Sequence, residues 1–236
     1  MDAVAAAGMF MVFRKKFNWP FVKPELEHLF ELIKQARPFI LIALIAIIQQ
    51  HANILILSSL APAPRNAQVG YYAAARGLLS PTLILSQSVC VAMLPWMSER
   101  VYFRKDLKNV KKRVWKTSMV LFLGAGIPLV IGVFCFGEWG IKTILGNDFL
   151  AAVPTAQVLS FAFAIQLLNG PIANTMLCSS KFSKYIVFYG LIVLFQVLLA
   201  FFLIPKYGHL GAAYANLFGP MVGSVFLMRV AQIELR

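Results

Sequence analysis

Long apolar segments separated by short polar gaps make up most of the chain. Six of them are close to or longer than the ~20 apolar residues with which a helix crosses the hydrocarbon core. We place these spans at residues 38–60, 69–97, 116–137, 151–178, 185–204 and 209–231. Inside a bilayer only helices and closed barrels satisfy every backbone hydrogen bond, so the pattern predicts an all-α integral membrane protein with a bundle of about six transmembrane helices.

The second and fourth spans are long, and each contains a proline. Pro81 interrupts the second span, and Gly170-Pro171 interrupts the fourth. Because proline lacks the amide donor, we expect a kink or local unwinding at both places.

Two shorter segments, one within residues 17–37 and one within 99–116, repeat apolar positions at helical spacing among charged residues. The apolar positions are Leu26, Leu29, Phe30 and Ile33 in the first segment, and Phe103, Leu107, Val110 and Val114 in the second. This pattern is typical of helices that lie in the membrane interface, and we predict two amphipathic helices at the cytoplasmic surface. A soluble connector helix is the alternative for the first segment, and a solvated charge run for the second.

The first residues indicate a partial span. Residues 3–13 are apolar but only about half as long as a span needs to be, and Arg14, Lys15 and Lys16 follow at once. A signal peptide has its basic residues before its apolar run. We therefore interpret residues 1–16 as the end of a truncated transmembrane helix with its basic flank, and the chain as the C-terminal portion of a longer protein. A linker helix at 17–37, the bundle at 38–231 and a tail at 232–236 complete the predicted organisation.

The positive charge alternates between the gaps. All but four of the 22 Lys and Arg residues lie before span one, between spans two and three, between spans four and five, or after span six, if Lys116 and Arg229 at the edges of spans three and six are counted with the neighbouring gaps. The exceptions are Arg65, Lys142 and Lys206 in the other gaps, and Arg76 inside the second span. Basic loops resist translocation, so the alternation predicts a cytoplasmic C-terminus and a first span that runs outward.

Composition then narrows the class of partner. The chain is 60% hydrophobic and 13% charged, with a net charge of +13. Such a charge can indicate nucleic-acid binding, but here the basic residues flank membrane spans. We therefore expect anionic lipid headgroups as the partner of these residues, and no nucleic acid.

Polar side chains inside the spans mark the candidate site, because burying them in hydrocarbon is unfavourable. Arg76 is the strongest candidate, since a guanidinium binds phosphate bidentately and stays charged. Two other roles are open for Arg76. Its side chain could snorkel to the outer headgroups, or it could form a fixed pair with another side chain inside the bundle. The amides either bind a ligand or join helices to one another. The predicted substrate-binding residues that line a cavity are Gln50, Asn53, Arg76, Gln87, Gln166, Asn169 and Asn174.

The motifs of common enzyme classes are missing from the sequence. All nine Asp and Glu residues lie outside the predicted membrane core, and no nucleotide-binding loop, nucleophile elbow or zinc-ligand spacing occurs. The three cysteines show no metal-ligand spacing. We therefore expect a transporter rather than an enzyme, with no catalytic residue, metal or cofactor. The spans also offer no obvious proton or sodium site.

Three segments carry a family resemblance. They are VGYYAAARGLLSP at 69–81 with LPWMSE at 94–99, ILGNDFLAAVP at 144–154, and LIPKYGHLGAAYAN at 203–216. Their order and spacing resemble the polysaccharide-export (O-antigen, Wzx-like) flippases of the multidrug/oligosaccharidyl-lipid/polysaccharide superfamily. Flippases of this family have twelve or more helices in two bundles around a central cavity. The resemblance implies that this chain corresponds to the second bundle, which is one lobe of such a flippase.

The third segment also predicts a local structure. Pro205 ends one helix, Tyr207-Gly208 forms a turn, and the small residues Gly211, Ala212 and Ala213 begin the next helix. Small residues let two helix backbones approach closely, so we expect tight antiparallel packing here.

The resemblance further implies a function. This is translocation of an undecaprenyl-pyrophosphate-linked oligosaccharide across the bacterial inner membrane by alternating access, for cell-surface polysaccharide or lipopolysaccharide biosynthesis. It implies Arg76 as the cation that meets the pyrophosphate, and as partners the first bundle and the polysaccharide polymerase machinery. Two alternatives remain open. One is a cation-coupled multidrug exporter of the same superfamily, which usually needs intramembrane carboxylates, and the other is a structural or inactive half-size fragment.

Overall fold

The computed structural model describes residues 26–104, 106–177 and 182–234, and all regular structure in these residues is helical. The chain divides into two compact units, residues 1–40 and 41–236. The predicted partial span at 3–13 lies outside the described residues. The helices are α1 (Leu26–Leu60), α2 (Arg65–Ser98), α3 (Leu107–Leu121), α4 (Ile127–Leu145), α5 (Val153–Leu177), α6 (Phe182–Tyr207) and α7 (His209–Glu234).

Six helical stretches in the described residues are long and apolar enough to cross a membrane. They are Ala36–Leu60, Arg65–Val101, Leu107–Leu145, Asn147–Leu177, Tyr185–Tyr207 and His209–Leu227. Each of these stretches overlaps one of the six predicted spans, so the all-α membrane class is confirmed. The second and third extend beyond the predicted limits, because π-helical turns at Glu99–Phe103 and Phe122–Gly126 prolong α2 and connect α3 to α4.

The structure differs from the prediction in how it divides the two amphipathic segments. α1 includes both the described end of the predicted linker helix and the first span, and Pro38 lies inside it. The segment 99–116 is shared between the extension of α2 and the first turns of α3. Proline removes only its own bond to the carbonyl four residues earlier, so a helix can continue through it. For the same reason α2 and α5 remain helical through Pro81 and Gly170-Pro171, and neither is unwound there.

The apolar stripe of the second amphipathic segment packs inside the protein. Val110 and Val114 are 0% and 4% exposed. They belong to a buried cluster with Met97 of α2, Ile172 and Met176 of α5, and Leu227 of α7. Phe103, the first position of the predicted stripe, is 85% exposed. The period of a stripe shows that one helix face is apolar, but it does not show whether lipid or protein covers that face.

A polar turn joins α2 to α3. The Asp106 carboxylate caps α3 by accepting bonds from the backbone N–H of Asn109 at 3.4 Å and from its Nδ2 at 2.8 Å. Nη1 of Arg100 lies 2.9 Å from the same carboxylate. The turn therefore connects the two helices through side chains that lie outside the predicted spans 69–97 and 116–137.

Helices α5 and α7 occupy the centre of the bundle. In the spans that contain these two helices, 50% of the most apolar window is buried inside the protein. The corresponding buried share in the other four spans is 11 to 22%. The outer helices expose large apolar side chains, as expected where lipid rather than protein is the neighbour. Small buried residues let the central helices approach closely: Ala156 and Ala162 of α5, and Ala212, Ala213 and Ala215 of α7.

The α6–α7 hairpin confirms the predicted close packing. Gly208 has a positive φ of +56° and joins the helices, and its N–H donates to the carbonyl of Ile204 at 2.8 Å. A Cβ placed on Gly211 would lie 2.6 Å from the carbonyl carbon of Leu203 and 2.9 Å from the amide nitrogen of Ile204. Only glycine fits at this crossing. α6 ends at Tyr207 instead of at Pro205 as predicted.

Candidate functional site

A cavity of about 600 Å³ lies within the unit of residues 41–236, between helices α1, α2, α5, α6 and α7. This volume is typical of small-molecule sites. The cavity wall combines apolar side chains with amides, hydroxyls and one cation. Its polar lining residues are Gln49, Gln50, Arg76, Ser80, Ser86, Gln87, Gln166, Asn169, Asn174, Tyr185, Tyr189 and Asn216. The lining residues include no Asp or Glu.

Six of the seven predicted site residues line this cavity. They are Gln50, Arg76, Gln87, Gln166, Asn169 and Asn174. These residues come from three helices, and the bundle brings them to one space. Whether they bind substrate stays a prediction.

Asn53 is the predicted site residue that the structure places elsewhere. Its side chain is 1% exposed, and its Nδ2 donates to the Tyr72 hydroxyl at 3.3 Å. Nδ2 of Asn216 donates to the same hydroxyl at 3.1 Å. Asn53 lies one helical turn beyond Gln50, where the buried Tyr72 ring fills the space between the helices. Asn53 therefore joins α1 to α2 and does not line the cavity.

Arg76 points into the bundle. Its Nη1 donates to the backbone carbonyl of Gln50, which is ten residues before the end of α1. At ~1.5 Å of rise per residue, that carbonyl lies about 15 Å below the end of the helix, roughly half of a ~30 Å hydrocarbon core. This depth favours a cation that faces the cavity over one that snorkels to the outer headgroups.

Most N–H donors of the Arg76 guanidinium make no hydrogen bond to the described residues. Arg76 makes no ion pair and only one hydrogen bond with the described residues. A guanidinium has about five N–H donors. The others remain for a ligand or water in the cavity.

The cavity amides fall into two groups. The side-chain amides of Gln50, Gln87, Gln166 and Asn174 make no hydrogen bond to any described residue. Asn169, by contrast, donates to the carbonyl of Pro220 at 3.0 Å and accepts from Ser224 Oγ at 3.0 Å. It therefore joins α5 to α7, while the first four amides are available to a ligand.

A hydrogen-bonded chain that the sequence analysis did not identify closes one side of the cavity. The Tyr189 hydroxyl donates to Oε1 of Gln49, and Nε2 of Gln49 donates to Oε1 of Gln196 at 3.4 Å. Gln196 is 1% exposed. Tyr185, Tyr189 and Gln196 are spaced by four and seven residues on α6, so they share one helix face. That spacing is the sequence signal that could have revealed them.

No group of three or more His, Cys, Asp or Glu side chains that could hold a metal occurs among the described residues. The chemistry available at the site is therefore that of one guanidinium, four unpaired amides, hydroxyls and apolar walls. Such a set binds ligands by charge and hydrogen bonding.

Comparison with known proteins identifies a family. The sequence profile of the family described as "Polysaccharide biosynthesis protein" matches residues 1–154 of the 236. The matched region includes the motifs at 69–81, 94–99 and 144–154, and it supports the resemblance to Wzx-like flippases. No curated protein and no solved structure matches the chain. Because the match covers more than half of its length, the chain belongs to the polysaccharide biosynthesis protein family.

Proposed function

We propose that this protein translocates a lipid-linked oligosaccharide of the undecaprenyl-pyrophosphate type across the bacterial cytoplasmic membrane. Family membership and six apolar spans support the broader role of a multi-pass membrane protein in polysaccharide synthesis or export. A non-enzymatic transporter is consistent with both. The alternating charge supports a cytoplasmic C-terminus. The first bundle, the polymerase machinery and anionic lipids remain proposed partners.

One observation carries the proposal: Arg76 lines the cavity with no acidic partner among the described residues, and four amides that line the same cavity make no hydrogen bond to those residues. A guanidinium binds phosphate with charge and matched geometry. Amides donate to and accept from sugar hydroxyls, so the polar end of the substrate has partners in the cavity. The polyprenyl tail stays in the bilayer, and the site is exposed to each side in turn.

The charge of Arg76 also argues against the alternative function, a cation-coupled multidrug exporter. A positive charge on the wall of a cavity repels organic cations and coupling cations. The lining residues include no Asp or Glu to offset that charge. An anionic substrate is therefore the better electrostatic match.

The first test of the proposal is the leaflet in which the lipid-linked intermediate resides. In cells that lack the gene, we expect this intermediate to accumulate in the cytoplasmic leaflet, and the wild-type gene to restore its transfer. Normal surface display without the gene, in cells with no redundant flippase, would overturn the proposal.

Variants of Arg76 test the site itself. Loss of a charged hydrogen-bonding group removes about 1.5–3 kcal/mol, so we expect Arg76→Ala to lower translocation about ten- to a hundredfold at equal membrane level. Arg76→Lys should retain part of the activity, since it keeps the charge but loses the planar fork. The matched control is Lys142→Ala, which removes an exposed cation that does not line the cavity. Normal translocation by Arg76→Ala would exclude Arg76 as the phosphate-binding residue.

A further inference from the structure

We infer that Tyr185 and Tyr189 bind the first sugar ring of the substrate, the ring attached directly to the pyrophosphate. The inference rests on the proposed function. Both residues line the cavity from successive turns of α6. Their ring centroids are 5.9 Å apart, with an angle of 11° between the ring planes. We call this pair of parallel rings the tyrosine platform.

Hydrogen bonds hold Tyr189, one of the two rings of the platform, in place. The Tyr189 hydroxyl donates to Gln49, and Gln49 donates in turn to the buried Gln196. Gly219 leaves space for the Gln196 side chain in this position, since a Cβ on residue 219 would lie 2.5 Å from its Oε1. A ring fixed before the ligand arrives loses little conformational freedom on binding, which favours affinity.

The position of the platform matches the chemistry of a sugar next to a phosphate. Gln49, which bonds to Tyr189, and Gln50, which bonds to Arg76, are adjacent residues of α1. The Tyr189 hydroxyl and the Arg76 guanidinium therefore bond to two adjacent residues of α1. In a glycosyl pyrophosphate the first sugar is joined directly to the phosphate, so a ligand held by Arg76 has this sugar within reach of the platform.

The surroundings favour a sugar over the polyprenyl tail. The face of an aromatic ring carries partial negative charge, and one face of a pyranose presents C–H groups with partial positive charge. The rim of the sugar carries hydroxyls, and the unpaired amides of Gln166 and Asn174 line the same cavity. The Tyr185 hydroxyl also has no hydrogen-bond partner among the described residues. An aliphatic tail would pack on the rings but would leave all these polar groups without partners.

The test compares two probes on the purified full chain in lipid nanodiscs. One probe is undecaprenyl pyrophosphate carrying a single N-acetylhexosamine, and the other is undecaprenyl pyrophosphate without sugar. We expect Tyr185→Leu to weaken binding of the first probe about three- to tenfold and to leave the second unchanged. Tyr185→Phe, which keeps the ring, should bind the first probe nearly as the wild type does.

The control is Tyr207→Leu, because Tyr207 lies at the end of the same helix, is exposed and does not line the cavity. It should bind both probes normally, and the melting temperature of each variant shows whether it is folded. Equal weakening of both probes by Tyr185→Leu, or no weakening of either, would overturn the sugar-binding inference alone. If the wild type binds neither probe, the proposed function fails with it.

Discussion

Gly211→Ala is the substitution whose effect on stability the structure defines most sharply. The new Cβ would lie 2.6 Å from the carbonyl carbon of Leu203 and 2.9 Å from the amide nitrogen of Ile204. These are backbone atoms of α6, which no side-chain rotation can move away. Overpacking destabilises by about 1–3 kcal/mol, and more where a backbone must shift. Alanine recovers up to about 1 kcal/mol through its higher helix propensity, so we expect a net loss of about 1–2 kcal/mol.

The assay is thermal unfolding of the purified chain in detergent or nanodiscs, followed by circular dichroism. For a chain of this size 1 kcal/mol corresponds to about 2–4 °C, so Gly211→Ala should unfold about 2–8 °C below the wild type. The control on the same helix is Gly223→Ala, whose Cβ would meet only Ile192 Cδ1, at 3.8 Å. It gains helix propensity without a clash and should unfold at or slightly above the wild-type temperature. If the two variants unfold at the same temperature, the hairpin does not depend on glycine at position 211.

The remaining predictions concern access to the cavity and the α2–α3 turn. Cys90 lines the cavity and is 7% exposed, so in a Cys135→Ser/Cys178→Ser background a small charged thiol reagent should label it slowly. Lipid-linked substrate should slow the labelling further, and complete protection without substrate would contradict a cavity that is exposed to each side in turn. Hydrogen bonds from Asn109 hold the pKa of the Asp106 carboxyl below its usual value. Because the unfolded-state pKa of about 3.9 is the higher one, the carboxylate stabilises the fold above that pH, and the contribution is lost as pH falls through the folded-state pKa. Asp106→Ala should therefore unfold at a lower temperature than the wild type at pH 7, and the difference should shrink as the pH falls below about 3.9. A difference in unfolding temperature that does not change with pH would refute this.

The number, order and approximate position of the spans followed from the sequence. A helix crosses the bilayer when its apolar run is as long as the hydrocarbon core is thick. The length of an apolar run can be read from the sequence alone, so the spans could be located without the structure. Six of the twelve polar cavity residues followed in the same way. A polar side chain inside a span must avoid lipid, and the bundle interior is the place where it can. The sequence also predicted the α6–α7 crossing, because small residues after a turn allow two backbones to approach.

Tertiary structure alone decided which partner each polar or apolar side chain meets. Asn53 and Asn169 are amides inside spans, as Gln50 and Gln166 are, yet the first two bond to neighbouring helices and the last two face the cavity. Their identities are nearly equivalent, and only the positions of the surrounding helices separate the two roles. Helical periodicity assigns a side chain to a face of its own helix, whereas its contacts depend on how the other helices pack against that face.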